Sequence, residues 1–315
     1  MSGSDDLSRE VDASIRMFQK SQVGLAAPII PSKPVKVLLV LDGSPQDSTG
    51  TDAASYLHSR FETETLVLDA RDWREEDQTD LAIEVVQSIS NAKPVKRKSG
   101  ESYDVILDAV TQSEVDFVIV PCPFARSFSD VGSDSAGTVI DVLLARCSLP
   151  MLVIRRDDQR LEECLASLSM VVGGECEMET LAASWTFGLA RESASISLNL
   201  VVEKEQYENV RSIIEALSPG AEFNSEAFSE ALTKTHQAIH QAMSKTAATT
   251  GMTYRLQPQA GNEAPPNLMT ASEKMVIVLP LEVDDRFGQG FVQDRIRRSP
   301  HPVLVVPGHV RPIDG

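Results

Sequence analysis

Short apolar runs alternate along this chain with segments in which apolar residues recur every three or four positions. Residues 35–41 form a nearly unbroken apolar run, and residues 102–112 show helical spacing through Val105, Ile106 and Val110. Unbroken runs are typical of strands buried on both faces, and a 3.6-residue period is typical of helices that cover such strands. The pattern therefore predicts the βαβ order of a doubly wound parallel sheet.

Each half of the chain is predicted to hold five strands. In the first half they span 35–41, 65–68, a short stretch near 95, 116–121 and the end of 137–155, with helices at 52–60, 75–90, 102–112 and the start of 137–155. In the second half the strands span 169–172, 196–202, 253–256, 275–280 and 302–306, with helices at 178–191, 207–217, 227–247 and 290–298.

A repeat supports the division into halves. Residues 137–155 read as a helix, a Pro-bearing turn and an apolar strand, and residues 294–306 repeat that order with Pro150 and Pro302 in matching places. A period this long indicates two copies of one domain. We expect an N-terminal arm and linker at 1–33, with a short helix around 7–18, a first domain at 34–157 and a second, divergent domain at 167–315.

Charge and cysteine content narrow the function classes. The 315 residues carry a net charge of −17, which disfavours nucleic acid and anionic lipid as partners. The four cysteines show no C-x-x-C spacing, the N-terminal residues are acidic, and no run reaches membrane-spanning length. We therefore expect a cytoplasmic protein with reduced thiols, with no membrane and no nucleic acid among its partners.

Few residues suggest chemistry by themselves. Asp42, in a Leu-Asp-Gly-Ser-Pro stretch, is either a turn residue or a ligand contact at a strand end. His236 and His240 have zinc-chelating spacing, but the predicted helix turns them toward solvent and we expect no metal. Cys122 is expected to be a small packed residue. No nucleophile elbow or phosphate-binding lysine loop is present, so the chain is not expected to be an enzyme.

Three segments in order resemble the universal stress protein family. They are LDGS at 41–44, SGESYDVILDAVTQSEVDFVIV at 99–120, and GTVIDVLLARCSLPMLVIR at 137–155. The second half is similar more weakly, through RRSPHPVLVV at 297–306. The resemblance implies two Rossmann-like domains in tandem, of the adenine nucleotide alpha hydrolase-like type.

The resemblance also implies an adenine-nucleotide pocket between the first and fourth strands, where some members bind ATP or AMP. Phe124 and Ser127 stand where the family has glycines, so the pocket of the first domain is expected to be partial. In the second domain Gly173 replaces the strand-end Asp, and no nucleotide is expected there. The residues that the resemblance places at the first site are Asp42, Gly43, Leu68, Arg126, Gly137 and Thr138.

The resemblance favours a non-catalytic regulator or adaptor in the stress response. One alternative is an ATP-binding, slowly hydrolysing protein in which Arg126, Ser133 and Thr138 contact phosphate. Another is a regulatory module that acts in trans on a transporter or kinase. The last strand of each half is apolar and is expected to be covered, within the chain or between chains, so we expect a homodimer with further, unknown protein partners.

Overall fold

A computed structural model describes residues 27–71, 80–97, 99–125, 136–174, 176–217, 225–260 and 273–308. The helix predicted around 7–18 and the site residue Arg126 lie outside these ranges. Among the described residues, no helix combines the length and the apolar character needed to cross a bilayer.

Ten strands of the described ranges form a single sheet. Its order is β3-β2-β1-β4-β5-β10-β9-β6-β7-β8. The strands are β1 (Lys36–Leu41), β2 (Glu64–Asp69), β3 (Ala92–Pro94), β4 (Phe117–Pro121), β5 (Met151–Ile154), β6 (Ser167–Val172), β7 (Ser195–Val202), β8 (Thr253–Ala260), β9 (Val276–Glu282) and β10 (Val303–Gly308).

Helices cover both faces of this sheet. In the described part of the chain they are α1 (Gln46–Phe61), α2 (Leu81–Val85), α3 (Ser102–Ser113), α4 (Thr138–Arg146), α5 (Leu161–Cys164), α6 (Glu179–Leu189), α7 (Lys204–Leu217), α8 (Ser225–Thr235), α9 (Gln237–Thr250) and α10 (Arg286–Arg298). Buried residues of α1, α6 and α9 belong to the core of one face, and those of α3, α4 and α10 to the core of the other.

The two halves share one strand order, and their last strands join them. Each half is parallel within itself, and the first strand of each half lies between its second and fourth strands. β5 and β10 pair antiparallel, with Leu152 opposite Leu304. The predicted doubly wound α/β fold is confirmed, and the two apolar edges that motivated a homodimer cover each other within one chain.

The structure corrects two predicted helices. Of the helix predicted at 75–90, the described residues contain only α2. The helix predicted at 227–247 is interrupted at His236, which separates α8 from α9. His236 is buried there and its Nδ1 lies 2.9 Å from Glu179 Oε1, so a long-range contact holds the break.

The described end of the linker lies against the second half. The Ile29 N–H donates to Thr246 Oγ1 at 2.8 Å, and the Ser32 N–H donates to the Ser184 carbonyl at 3.0 Å. The linker passes so close to α6 that a Cβ on Gly188 would lie 1.6 Å from the Ser32 carbonyl oxygen. Only glycine fits at this crossing.

Candidate functional site

The first half has its topological switch point between β1 and β4. Open α/β sheets bind ligands beyond the carboxyl ends of strands at such a point, because the connections leave it in opposite directions. Asp42 follows β1 directly, and Cys122 follows β4 directly. Asp42 and Cys122 therefore mark the edge of the sheet at which the resemblance predicts a pocket.

The carboxylate of Asp42 is held by backbone N–H groups from two loops. Its Oδ1 accepts a hydrogen bond from Ser44 N–H at 2.9 Å, and its Oδ2 accepts one from Ala125 N–H at 2.5 Å. Only 4% of the residue is exposed. The strand-end carboxylate thus fastens the loop after β4 onto the loop after β1.

A second carboxyl group, that of Asp47, lies against Asp42. Its two oxygens accept hydrogen bonds from the N–H groups of Asp42 at 3.1 Å and Gly43 at 2.8 Å. Burial, and then the negative charge of Asp42, raise the pKa of Asp47 to about 7 against the effect of these two N–H groups. A side-chain hydrogen bond links the two carboxyl groups.

Leu68 and its neighbour Asp69 lie at the end of β2. Leu68 pairs with Val40 of β1 and is fully buried in the core on the α3 side. Asp69 forms a 2.7 Å ion pair with Arg71. Burial raises the pKa of Asp69, but hydrogen bonds from Arg71 and from the Leu81 N–H hold it below its usual value. This anchored ion pair was missed, although a carboxylate and a guanidinium two residues apart after an apolar run were visible in the sequence.

Gly137 and Thr138 begin α4 on the other side of the switch point. Gly137 has φ +83°, a conformation that favours glycine, and Thr138 is exposed. A Cβ on Gly137 would lie 3.9 Å from the Phe124 nitrogen, so this helix start adjoins the loop after β4. Phe124 is 8% exposed and belongs to the core on the α4 side. The helix N-terminus is thus the part of the predicted phosphate site that stays open in the described residues.

Cys122 is a packed residue, as expected. The thiol is fully buried, and its Sγ lies 3.5 Å from the Ala136 carbonyl oxygen. Burial raises the pKa of Cys122 to about 11, so the thiol is protonated at neutral pH.

The two histidines are not the surface pair that the sequence suggested. His236 is buried against Glu179, whereas the Nδ1 atom of His240 lies 2.9 Å from the Tyr254 hydroxyl. Burial lowers the pKa of His240. Within the described ranges, no three His, Cys, Asp or Glu side chains are grouped so that they could hold a metal ion.

The second half has a cavity of about 520 Å³ at its own switch point. The ends of β6 and β9 and the first turns of α10 line it, with Gly173 in the position of Asp42. A Cβ on Gly173 would lie 2.7 Å from the ring of Phe291, so the missing side chain makes room for this aromatic ring. The sequence predicted no nucleotide in this half and did not indicate the cavity.

Comparison with known proteins supports the fold. No protein-family model and no curated protein matches this chain. A universal stress protein from Archaeoglobus fulgidus DSM 4304 superposes with a TM-score of 0.58 at 14% identity, covering 87% of this chain and 96% of that chain. A protein described as a universal stress protein from Pseudomonas aeruginosa UCBPP-PA14 gives 0.56 at 14% identity, with coverage of 87% and 93%.

A third solved structure, a protein of unknown function from Pseudomonas aeruginosa PAO1, gives a TM-score of 0.55 at 13% identity, with coverage of 87% and 93%. Matches over 87% of the chain include both halves. The chain therefore has the fold of universal stress proteins, as the three sequence segments indicated.

Proposed function

We propose that this protein is a non-catalytic cytoplasmic regulator or adaptor in the stress response, whose first half retains only a weak, partial pocket for ATP or AMP. The observation that carries the proposal is that the strand-end carboxylate at the first switch point already binds two backbone N–H groups of its own chain. Both oxygens of Asp42 accept hydrogen bonds from Ser44 and Ala125. A ribose hydroxyl that approached Asp42 would compete with bonds that hold the loops together.

The electrostatics of this site also disfavour a triphosphate. Asp42 and Asp47 place two carboxyl groups beside the end of β1, and like charges repel strongly where water is excluded. What favours a nucleotide is the open N-terminus of α4 at Gly137 and Thr138, since helix N-termini attract anions. The open N-terminus of α4 attracts phosphate, whereas the occupied carboxylate of Asp42 and the repulsion from the two carboxyl groups oppose it. The balance supports weak binding.

An exposed apolar surface supports the adaptor part of the proposal. In α7 no residue is buried, and Val210, Ile213, Ile214 and Leu217 are between 36% and 79% exposed. Apolar side chains that are clustered on a protein surface commonly mark interaction sites. A homodimer stays a prediction, and a dimer would use a surface other than β5 and β10.

The proposal is tested by incubating the purified protein with Mg-ATP and measuring phosphate release. We expect no release above the buffer background. The control is Thr138→Ala, which removes an exposed hydroxyl at the start of α4 and leaves the fold intact. Phosphate release by the wild-type protein that falls in Thr138→Ala would contradict the proposal and favour the hydrolysing alternative.

A further inference from the structure

The cavity of the second half differs in chemistry from a nucleotide site. Its volume, about 520 Å³, is that of a pocket for a small molecule, and it lies where α/β sheets bind ligands. Glu203, Glu282, Asp285 and Asp294 line it together with one guanidinium, that of Arg298. Carboxylates outnumber cations among the lining residues, so the interior favours a positive ligand over a phosphate.

The N-terminus of α10, where a phosphate would be expected to bind, is already occupied by a carboxylate of the protein. Helix N-termini bind anions through their free N–H groups, and α10 begins at the edge of the cavity. Asp285 accepts hydrogen bonds from the N–H groups of Phe287 at 2.9 Å and Gly288 at 3.0 Å. The side chain of the protein itself supplies the anion at this helix end.

Two of the cavity's carboxylates have a guanidinium partner, and two are held by backbone N–H groups. Glu203 forms an ion pair with Arg295, and Asp294 forms one with Arg298. Glu282 accepts a hydrogen bond from the Glu177 N–H at 2.7 Å, and Asp285 caps α10. In these contacts the partners of Glu282 and Asp285 are backbone N–H groups and not guanidinium groups.

Aromatic rings supply the apolar part of the cavity. Phe287 and Phe291 are four residues apart on α10, so they lie on the same side of the helix, and both line the cavity. The ring of Phe291 fits against Gly173, and the ring of Phe287 is 92% exposed. Aromatic faces next to carboxylates are the surroundings that ammonium groups prefer.

We infer that this cavity binds a small organic cation, an amine whose apolar body lies against Phe287 and Phe291 and whose ammonium group faces Glu282 and Asp285. The inference concerns the second half and does not depend on nucleotide binding in the first. It gives the proposed regulator a metabolite-sized ligand of defined charge.

Calorimetric titration with two probes of similar size and opposite charge tests this inference. Phenethylamine carries an ammonium group on an aromatic body, and 3-phenylpropanoate carries a carboxylate on a similar one. We expect the wild-type protein to bind phenethylamine and to show no binding of 3-phenylpropanoate. Absence of phenethylamine binding, or equal binding of the two probes, would overturn the inference.

Three variants locate the binding in this cavity. The double variant Glu282→Gln/Asp285→Asn removes both carboxylates and keeps one carbonyl oxygen in each side chain as an acceptor for a backbone N–H group, and Phe287→Ala removes an exposed ring. We expect phenethylamine affinity to fall about tenfold or more in each, the change that a loss of ~1.4 kcal/mol produces. Glu84→Gln, which removes one carboxylate at an exposed position of α2, is expected to bind like wild type.

Two results would contradict the assignment to this cavity. One is unchanged affinity in both cavity variants while their thermal unfolding matches that of wild type. The other is displacement of phenethylamine by ATP. It would place both ligands in one site, so the cavity of the second half could not be a cation site distinct from a nucleotide pocket.

Discussion

The carboxylate of Asp42 is bound from two sides by backbone N–H groups, and this gives the residue a structural role that can be measured. Asp42→Ala removes the acceptor for Ser44 and Ala125. A hydrogen bond contributes ~0.5–1.5 kcal/mol to stability, and Asp42→Ala removes two part-buried ones, so we expect a clear fall in the melting temperature without any ligand. Asp42→Asn keeps one acceptor oxygen, so its melting temperature should fall less than that of Asp42→Ala. An unchanged melting temperature in Asp42→Ala would show that the carboxylate does not hold the two loops.

Asp47 makes the stability of the first half dependent on pH. Its pKa rises from 3.8 to about 7 on folding, so the folded chain favours the protonated carboxyl group. The stabilisation is complete below the unfolded pKa and is lost as the pH rises toward 7. Asp47→Asn mimics the protonated form. The difference between its melting temperature and that of wild type should therefore shift in favour of the variant as the pH rises from about 4 to about 7.

The control for Asp47→Asn is the same substitution at a carboxyl group that is exposed. Asp52→Asn makes the same change at an exposed position of α1. Its melting temperature, measured over the same pH range, shows the effect of losing one exposed carboxyl group. If Asp47→Asn behaved like Asp52→Asn, the paired carboxyl groups would have no part in the pH dependence.

At the residue scale, local sequence predicts where side chains lie along the chain but not what they contact. The placing of Asp42 at a strand end followed from the apolar run before it. Its bond to Ala125, 83 positions away, depends on the packing of the loop after β4, which no local pattern encodes. For the same reason no local pattern marked Glu282, Asp285 and Phe287 as site residues. They become a cavity wall only when Gly173 and Glu203 from distant strands lie opposite them.

At the scale of elements, the crossing of the linker over α6 depends on Gly188. Gly188→Ala places a Cβ against the Ser32 carbonyl and must displace the linker, which carries the buried Ile29. We expect a lower melting temperature, with a cost of ~1–3 kcal/mol for the overpacking. Thermal unfolding followed by circular dichroism measures it.

Gly290→Ala is the matched control for this crossing. Gly290 also lies within a helix, and a Cβ there meets nothing within 4 Å. Alanine favours a helix interior over glycine by ~1 kcal/mol, so this variant should be as stable as wild type or more stable. If the two variants behaved alike, the close approach of the linker would not hold in solution.

The elements predicted correctly are those with a strong internal period, and the errors arose where distant contacts decide. The apolar runs of β1 and β4 and the spacing in α3 specify strands and a helix on their own. No glycine or proline near His236 indicates that the helix is interrupted there. The break is held instead by Glu179 of α6, which lies 57 positions earlier in the chain.

At the scale of the whole molecule, contacts across the two halves make one structure of them. β5 pairs with β10, and the rings of Phe117 and Trp185 approach to 5.4 Å between centroids. Arg60 of α1 donates to the carbonyls of Leu189 and Ala190 at the end of α6. The sequence left open whether the apolar edges would pair within or between chains, because both pairings cover them equally well.

These shared contacts predict a single unfolding transition. Leu152→Ala, in β5, should cost ~2–5 kcal/mol and lower one common transition seen by far-ultraviolet circular dichroism and tryptophan fluorescence. Ile213→Ala, the control, shortens an aliphatic side chain that is 58% exposed on α7 and should change stability little. Two separate transitions in Leu152→Ala would mean that the halves unfold independently.

The most direct test of the central claim is calorimetric titration of the purified protein with ATP, ADP and AMP. The occupied carboxylate of Asp42 predicts no measurable binding, or dissociation constants weaker than ~1 mM. Thr138→Ala is the control, because Asp42 variants also lose stability. Micromolar binding by wild type that is lost in Thr138→Ala would contradict the account and make the first half a working nucleotide sensor.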